Sequence, residues 1–243
     1  MRTSKPFSAA LALALILGLE GQPFAADAEV PVRAGPAHWQ QPVKSVRALR
    51  DEGVVKQAYD YSCGSAALAT LLTFGAGDAV DEAWVLATVF ASASPEQRQL
   101  LTEKGLSLLD LQRVAALRGH QSQGFRLGAD QLTRLSRPVI VYVRPQGYPH
   151  FAVLKGVRGD RAYLADPSLG NVRLPLYRFL DMWADEGGRG VVFVLEPPGG
   201  RWPDVQALAA PSESGPPLEA LTAHQLLEVG KTYPLTLPRP LLR

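Results

Sequence analysis

The sequence predicts an α+β fold, with helices first and a mostly antiparallel sheet after them. Three observations carry that expectation. Between Ser62 and Leu135, apolar residues recur at helical spacing and are punctuated by caps and stops. From Pro138 the period changes to short runs rich in Val, Ile and Tyr, separated by turn residues. Helices followed by strands, rather than alternating with them, segregate into separate layers.

The elements follow in order. Glu29 to about Lys44 is a polar lead-in with Pro31, Pro36 and Pro42 and no period. Val54 to Gln57 looks extended. A helix then opens at Ser62–Cys63, with Leu68, Leu71 and Leu72 on one side, small residues opposite, and Gly75 and Gly77 as stops. Residues 79–104 read as helical, with a restart at Ser94–Pro95 and an end at Gly105. Ser107 caps an amphipathic helix whose spine is Leu108, Leu111, Val114, Ala115 and Leu117, stopped by Gly119. A shorter helix lies near 129–135. Val139–Val143, His150–Gly156, Asp160–Asp166, Val172–Pro175 and Gly190–Leu195 are extended, with a small helix from Leu176 to Trp183. From Pro197 the composition shifts to Pro, Ala and Ser, which reads as a linker or surface arm with a helix near 218–229.

Composition excludes several classes. A net charge of +2 leaves no basic stripe for nucleic acid. A single cysteine in 243 residues rules out an internal disulfide framework and a Cys-rich zinc site, and no Cys/His pair has metal-ligand spacing, so no metal or cofactor is expected. Gly230-Lys231-Thr232 is not a phosphate loop, because Gln225 stands where that motif needs glycine. The N-terminus has the layout of a secretory signal: Arg2 and Lys5, then an apolar stretch from Phe7 to Leu19, then small residues around Ala26-Asp27-Ala28, with cleavage after Ala25 or Ala26 as rivals and an uncleaved anchor as the alternative. No other segment is a transmembrane candidate. The expected organisation is a signal peptide over 1–28, a lead-in over 29–49, one domain over 50–196 and a Pro-rich tail over 197–243.

The solitary cysteine organises the rest. Cys63 sits at a helix N-terminus, where the macrodipole favours the thiolate, and an exported protein that keeps one unpaired thiol has reason to use it. A nucleophile needs a base, and the base needs an orienter. Of the four histidines, His38 lies in the lead-in, His120 just past a helix and His224 in the tail; only His150 opens a strand after a Gly/Pro loop. If the hairpin loop is Val157-Arg158-Gly159, His150 pairs with Asp166 and their Cβ atoms come to roughly 5 Å. A two-residue Gly159-Asp160 turn instead sets Asp166 opposite Val153 and separates the two side chains. The first register is preferred.

Gln57, Cys63-Gly64 opening an apolar helix, Pro138 and its strand, His150-Phe151-Ala152-Val153 and Tyr163 to Asp166-Pro167 together resemble the C39 family of papain-like cysteine peptidases, over about residues 50–196. The resemblance implies a cysteine helix packed on an antiparallel sheet that carries His and Asp. It implies Cys63 as nucleophile, His150 as base and then acid, Asp166 as orienter, and Gln57 with the Cys63 backbone N–H as oxyanion donors. Exporter-fused members cleave leader peptides after Gly-Gly. This chain has no membrane or nucleotide-binding domain, and Ser62 stands where those members usually have Asp, so it looks more like stand-alone exported members, among them the periplasmic one of bacterial functional-amyloid secretion. The implied partner is a polypeptide, an amyloid subunit or a secretion-system protein. Tyr59, Tyr61 and Tyr148 flank the expected cleft as substrate contacts or as packing. Two other functions use the same residues: a C39-like module that holds a client without cutting it, and a transglutaminase-like acyl transfer to an amine.

Overall fold

Turn chemistry and caps set the element boundaries in the computed structural model, which describes residues 27–203 and 208–210. The expected signal segment lies outside the described residues except for Asp27 and Ala28, and the expected tail helix lies wholly outside them. The chain divides into two compact units, Met1–Leu49 and Arg50–Arg243. In the first, β1 (Asp27–Ala34) and β2 (Ala37–Lys44) form an antiparallel hairpin that turns at Gly35, φ 60°. The lead-in is thus regular where no period is legible. Its order comes from the turn and the ladder, since every residue of β2 is exposed and no buried face imposes alternation.

After α1 (Val46–Asp51), the second unit begins its helical layer with α2 (Cys63–Thr70), prolonged by a π-helical turn over Leu71–Ala76 that ends at Gly77, φ 74°. Asp81 caps α3 (Glu82–Ser92) through the Trp84 N–H at 2.7 Å. Ser94 and Ser107 close capping boxes with Gln97 and Asp110, starting α4 (Pro95–Lys104) and α5 (Leu108–Leu117). Ser62, expected as the cap of α2, makes no such bond: its hydroxyl accepts from the Tyr59 N–H and donates to the Tyr59 carbonyl instead.

The sheet follows: β3 (Gln121–Gly128), α6 (Ala129–Thr133), β4 (Val139–Val143), β5 (His150–Arg158), β6 (Arg161–Asp166), β7 (Gly170–Pro175), α7 (Leu176–Trp183) and β8 (Arg189–Glu196). All pairings are antiparallel, in the order β3-β8-β4-β5-β6-β7, so the last strand inserts between β3 and β4. β3 is not legible in the sequence: it is an edge strand, mostly exposed, whose pairing is dictated by β8.

The position of β4 explains its unbroken apolar run. Ile140 packs with Leu68, Leu71, Val85 and Leu111 beneath α2, α3 and α5, whereas Val139 and Val141 pack with Phe179 and Trp183 of α7 on the opposite face. Emptying such a site, as in Leu68→Ala, costs about 2–5 kcal/mol. Gly190 is required where the Trp183 ring lies against the sheet, because a Cβ there would sit 2.2 Å from the indole. Beyond β8 the chain is an arm: Trp202 and Leu208 lie against Gly75, and Leu208 is fully buried.

Candidate active site

α2 is buried on every side, and its first residue, Cys63, is 8% exposed. Such a helix needs small residues where it meets the sheet. A Cβ on Gly64 would fall 3.2 Å from the Phe151 ring and 3.4 Å from Leu106, so glycine permits the close approach of α2 to β5. Phe151 is the neighbour of His150, and the same contact brings the start of α2 to the start of β5.

The segment leading into Cys63 is held by named partners. Val55 N–H donates to Thr70 Oγ1 at 2.9 Å, Gln57 N–H to the Pro167 carbonyl at 3.1 Å, and Ala58 N–H to both oxygens of Glu82 at 3.0 Å. Lys56 Nζ donates to the Ser168 carbonyl at 2.7 Å and Asn171 Nδ2 to the Glu52 carbonyl at 2.8 Å. This strap ties residues 52–58 to the turn that follows β6. Glu82, in the first turn of α3, is 7% exposed and is an anchor of the strap.

The β5–β6 hairpin corrects the expected register. Arg158 pairs with Arg161 across the two-residue Gly159-Asp160 turn, which was the rival. A bulge between Leu154 and Gly156 then shifts the ladder by one, so that Val153 pairs with Ala165 rather than Asp166. Continued one step, this sets Asp166 level with Ala152. That is on the face of His150, one diagonal away, and diagonal neighbours remain within reach of long side chains. The contact is made: His150 Nε2 lies 3.0 Å from Asp166 Oδ2. Asp166 Oδ1 accepts from the backbone N–H groups of Ser168 and Leu169 at 2.8 and 2.9 Å, which aims the carboxylate.

With Nε2 on Asp166, Nδ1 is the nitrogen left for the sulfur. His150 and Cys63 line one cleft of about 710 Å³, walled by Tyr61, Leu106, Tyr142 and Phe151. Burial opposes the imidazolium, but hydrogen bonds and charge from Asp166 and Cys63 outweigh it and raise His150 to about 9. Burial likewise opposes the Asp166 carboxylate, and the His150 contact and two backbone N–H groups outweigh it, lowering its pKa.

The structure brings Cys63, His150 and Asp166 together. Gln57 lies on the strap beside the turn after β6, its Nε2 donating to the Tyr59 carbonyl at 3.0 Å and its Oε1 accepting from Ser168 Oγ at 2.7 Å. Tyr61 lines the cleft. Tyr59 stacks on Tyr61 at 5.3 Å and is half exposed, and Tyr148 is 73% exposed outside the lining. No group of His, Cys, Asp and Glu among the described residues could hold a metal ion.

The profile of the Peptidase C39 family matches residues 91–187, a span that contains His150 and Asp166. The chain is 36% identical over 185 residues to the "Probable functional amyloid protease FapD" of Pseudomonas aeruginosa, covering 76% of this chain and 77% of that protein. It is 35% identical over 183 residues to the protein of the same description from Pseudomonas fluorescens, covering 75% and 77%. This chain belongs to the peptidase C39 family. As a C39 peptidase it is a cysteine hydrolase of peptide bonds, with the α+β fold expected of it. A solved double glycine motif protease from an AMS/PCAT transporter, in complex with its leader peptide, is 24% identical with a TM-score of 0.44, covering 61% of this chain and 95% of that one. No helix among the described residues of this C39 chain is long and apolar enough to cross a membrane.

Proposed function

We propose that the chain is an exported, periplasmic endopeptidase that cuts a polypeptide of a functional-amyloid secretion system, an amyloid subunit or a secretion component, through Cys63, His150 and Asp166. The observation that carries this reading is the shared position of His150, bonded to Asp166 and facing Cys63 in one cleft. Export rests on the basic and apolar N-terminal segment, and the client class on the likeness to the FapD proteases.

The mechanism follows from protonation. His150 is held up to about 9, so at neutral pH it is the imidazolium, and a cation beside a thiol favours the thiolate. The Cys63 sulfur attacks the scissile carbonyl carbon. The carbonyl oxygen becomes an oxyanion that accepts from the Cys63 backbone N–H, one of the donors a helix start leaves unpaired, and from the second N–H of the Gln57 amide. His150 gives its proton to the leaving amine, the C–N bond breaks and a thioester remains. Neutral His150 then takes a proton from water, whose oxygen attacks the thioester and returns the thiolate. A preorganised oxyanion donor contributes on the order of 3 kcal/mol to barrier lowering.

The test compares wild type with Cys63→Ala. Candidate amyloid subunits are incubated with each, and fragments are sought by mass spectrometry. Fragments with wild type alone support the proposal. Binding by both without fragments establishes a client-holding module, and cross-linked product without hydrolysis establishes acyl transfer to an amine.

A further inference from the structure

Ser168 follows the Asp-Pro turn and touches two parts of the site in different ways. Its backbone N–H donates to Asp166 Oδ1 at 2.8 Å, and its hydroxyl donates to Gln57 Oε1 at 2.7 Å across 111 residues of chain. The other end of the Gln57 amide donates to the Tyr59 carbonyl at 3.0 Å. A carbonyl can only accept, so Tyr59 selects the amide nitrogen, and the Ser168 hydroxyl holds the oxygen at the opposite end. The nitrogen is thereby turned toward the Tyr59–Ser62 turn, which runs directly into Cys63. Without the hydroxyl, one of two anchors is gone and the amide is free to rotate about its terminal torsion, which has no strong preference of its own.

We infer that Ser168 is a positioning residue for the peptidase reaction: its hydroxyl fixes the Gln57 amide with the nitrogen presented to the oxyanion. This rests on the oxyanion role proposed for Gln57. The hydroxyl–amide bond is solvent-exposed, so its contribution is direction rather than fold stability. The two contacts of Ser168 are also separable by mutation, because Ser168→Ala keeps the backbone N–H that holds Asp166 and removes only the hydroxyl.

The experiment is a double-mutant cycle on an internally quenched peptide, chosen from a mixed library for turnover by wild type, with the Gln57 side-chain amide signals followed by NMR in the same variants. Ser168→Ala lowers kcat roughly tenfold with KM unchanged, Ser168→Thr restores it to within about twofold, and Gln57→Ala lowers it about 10²-fold or more. Adding Ser168→Ala to Gln57→Ala changes nothing further, because the hydroxyl acts through the amide. The basic limb of the pH profile stays in place in Ser168→Ala, since His150 and Asp166 are untouched. In the NMR arm, which needs no turnover, the Gln57 side-chain NH₂ signals shift and their order falls toward that of a free amide in Ser168→Ala, the two protons staying distinct because rotation about the C–N bond is slow. Unchanged amide signals, or an unchanged kcat in Ser168→Ala while Gln57→Ala is impaired, overturn the inference. An unimpaired Gln57→Ala with altered amide signals in Ser168→Ala removes the oxyanion reading and leaves the clamp as a structural contact only.

Discussion

Two histidine–aspartate pairs of matching geometry occur among the described residues, and they have different neighbours. His150 and Asp166 meet at 3.0 Å, Nε2 to Oδ2, and so do His120 and Asp78. His150 lines an open cleft together with Cys63. His120 is 4% exposed, its Nδ1 is buried with no hydrogen-bond partner among the described residues, and the cleft lining does not include it. The aspartates differ as well. Asp78 is bonded by the Arg118 guanidinium, which itself lies 5.2 Å over the Trp84 ring, whereas Asp166 takes two backbone N–H groups besides His150. Arg118 already supplies the counter-charge at one pair, whereas at the other the sulfur and carboxylate together favour the imidazolium. A His–Asp contact alone is therefore no sign of catalysis, and the third group decides its use.

Mutations can break this contrast, and the largest effect belongs to the sulfur. Cys63→Ala removes turnover of the quenched peptide by a factor on the order of 10⁵ or more, with the fold retained by circular dichroism. Asp166→Asn comes next, lowering kcat by roughly 10²–10⁴. It also moves the basic limb. In wild type, kcat/KM falls as pH rises through about 9, where His150 loses its proton; without the carboxylate the limb shifts down toward 6.5, and a limb that stays at 9 removes Asp166 from the account. The smallest effect lies at the other pair. Asp78→Asn leaves kcat within about twofold and costs about 1–2 kcal/mol in urea unfolding, a modest figure because Arg118 is one-third exposed. The sign at acid pH follows from the lowered pKa of Asp78, caused first by its Arg118 hydrogen bond. Its contribution is complete above 3.8 and is lost as pH falls through the lower folded value, so the variant and wild type converge in stability there.

The sequence makes the helices legible because capping serines, Asp81 and the stopping glycines act within a few residues. Strand β4 is legible because burial on both faces leaves it no charged residue to place. Edge strand β3 and the β1–β2 hairpin are not, since neither presents a buried stripe. In the site, Cys63 and His150 stand out by scarcity and position, but the hairpin register is not legible: the turn is the two-residue one, and the bulge at Lys155 that restores the parity has no local signal. The turn moves the pairing by three residues and the bulge moves it back by one; both shifts are odd, so parity is kept and the His150–Asp166 contact forms one diagonal away from the direct pairing. Ser168 and Glu82 could not be found from the sequence, because their importance depends on which distant segment the fold lays beside them.

The strap that fastens residues 52–58 to the turn after β6 also sets an order in time. Synthesis delivers Cys63 early and the turn late. Until Pro167, Ser168 and Asn171 have emerged, the strap has only Thr70 and Glu82 to bind and the thiol has no base beside it. A growing chain therefore carries its sulfur as an inert side chain through most of its own production. The capacity to cut a peptide bond arrives only once nearly all of the domain's own bonds can already be folded out of reach.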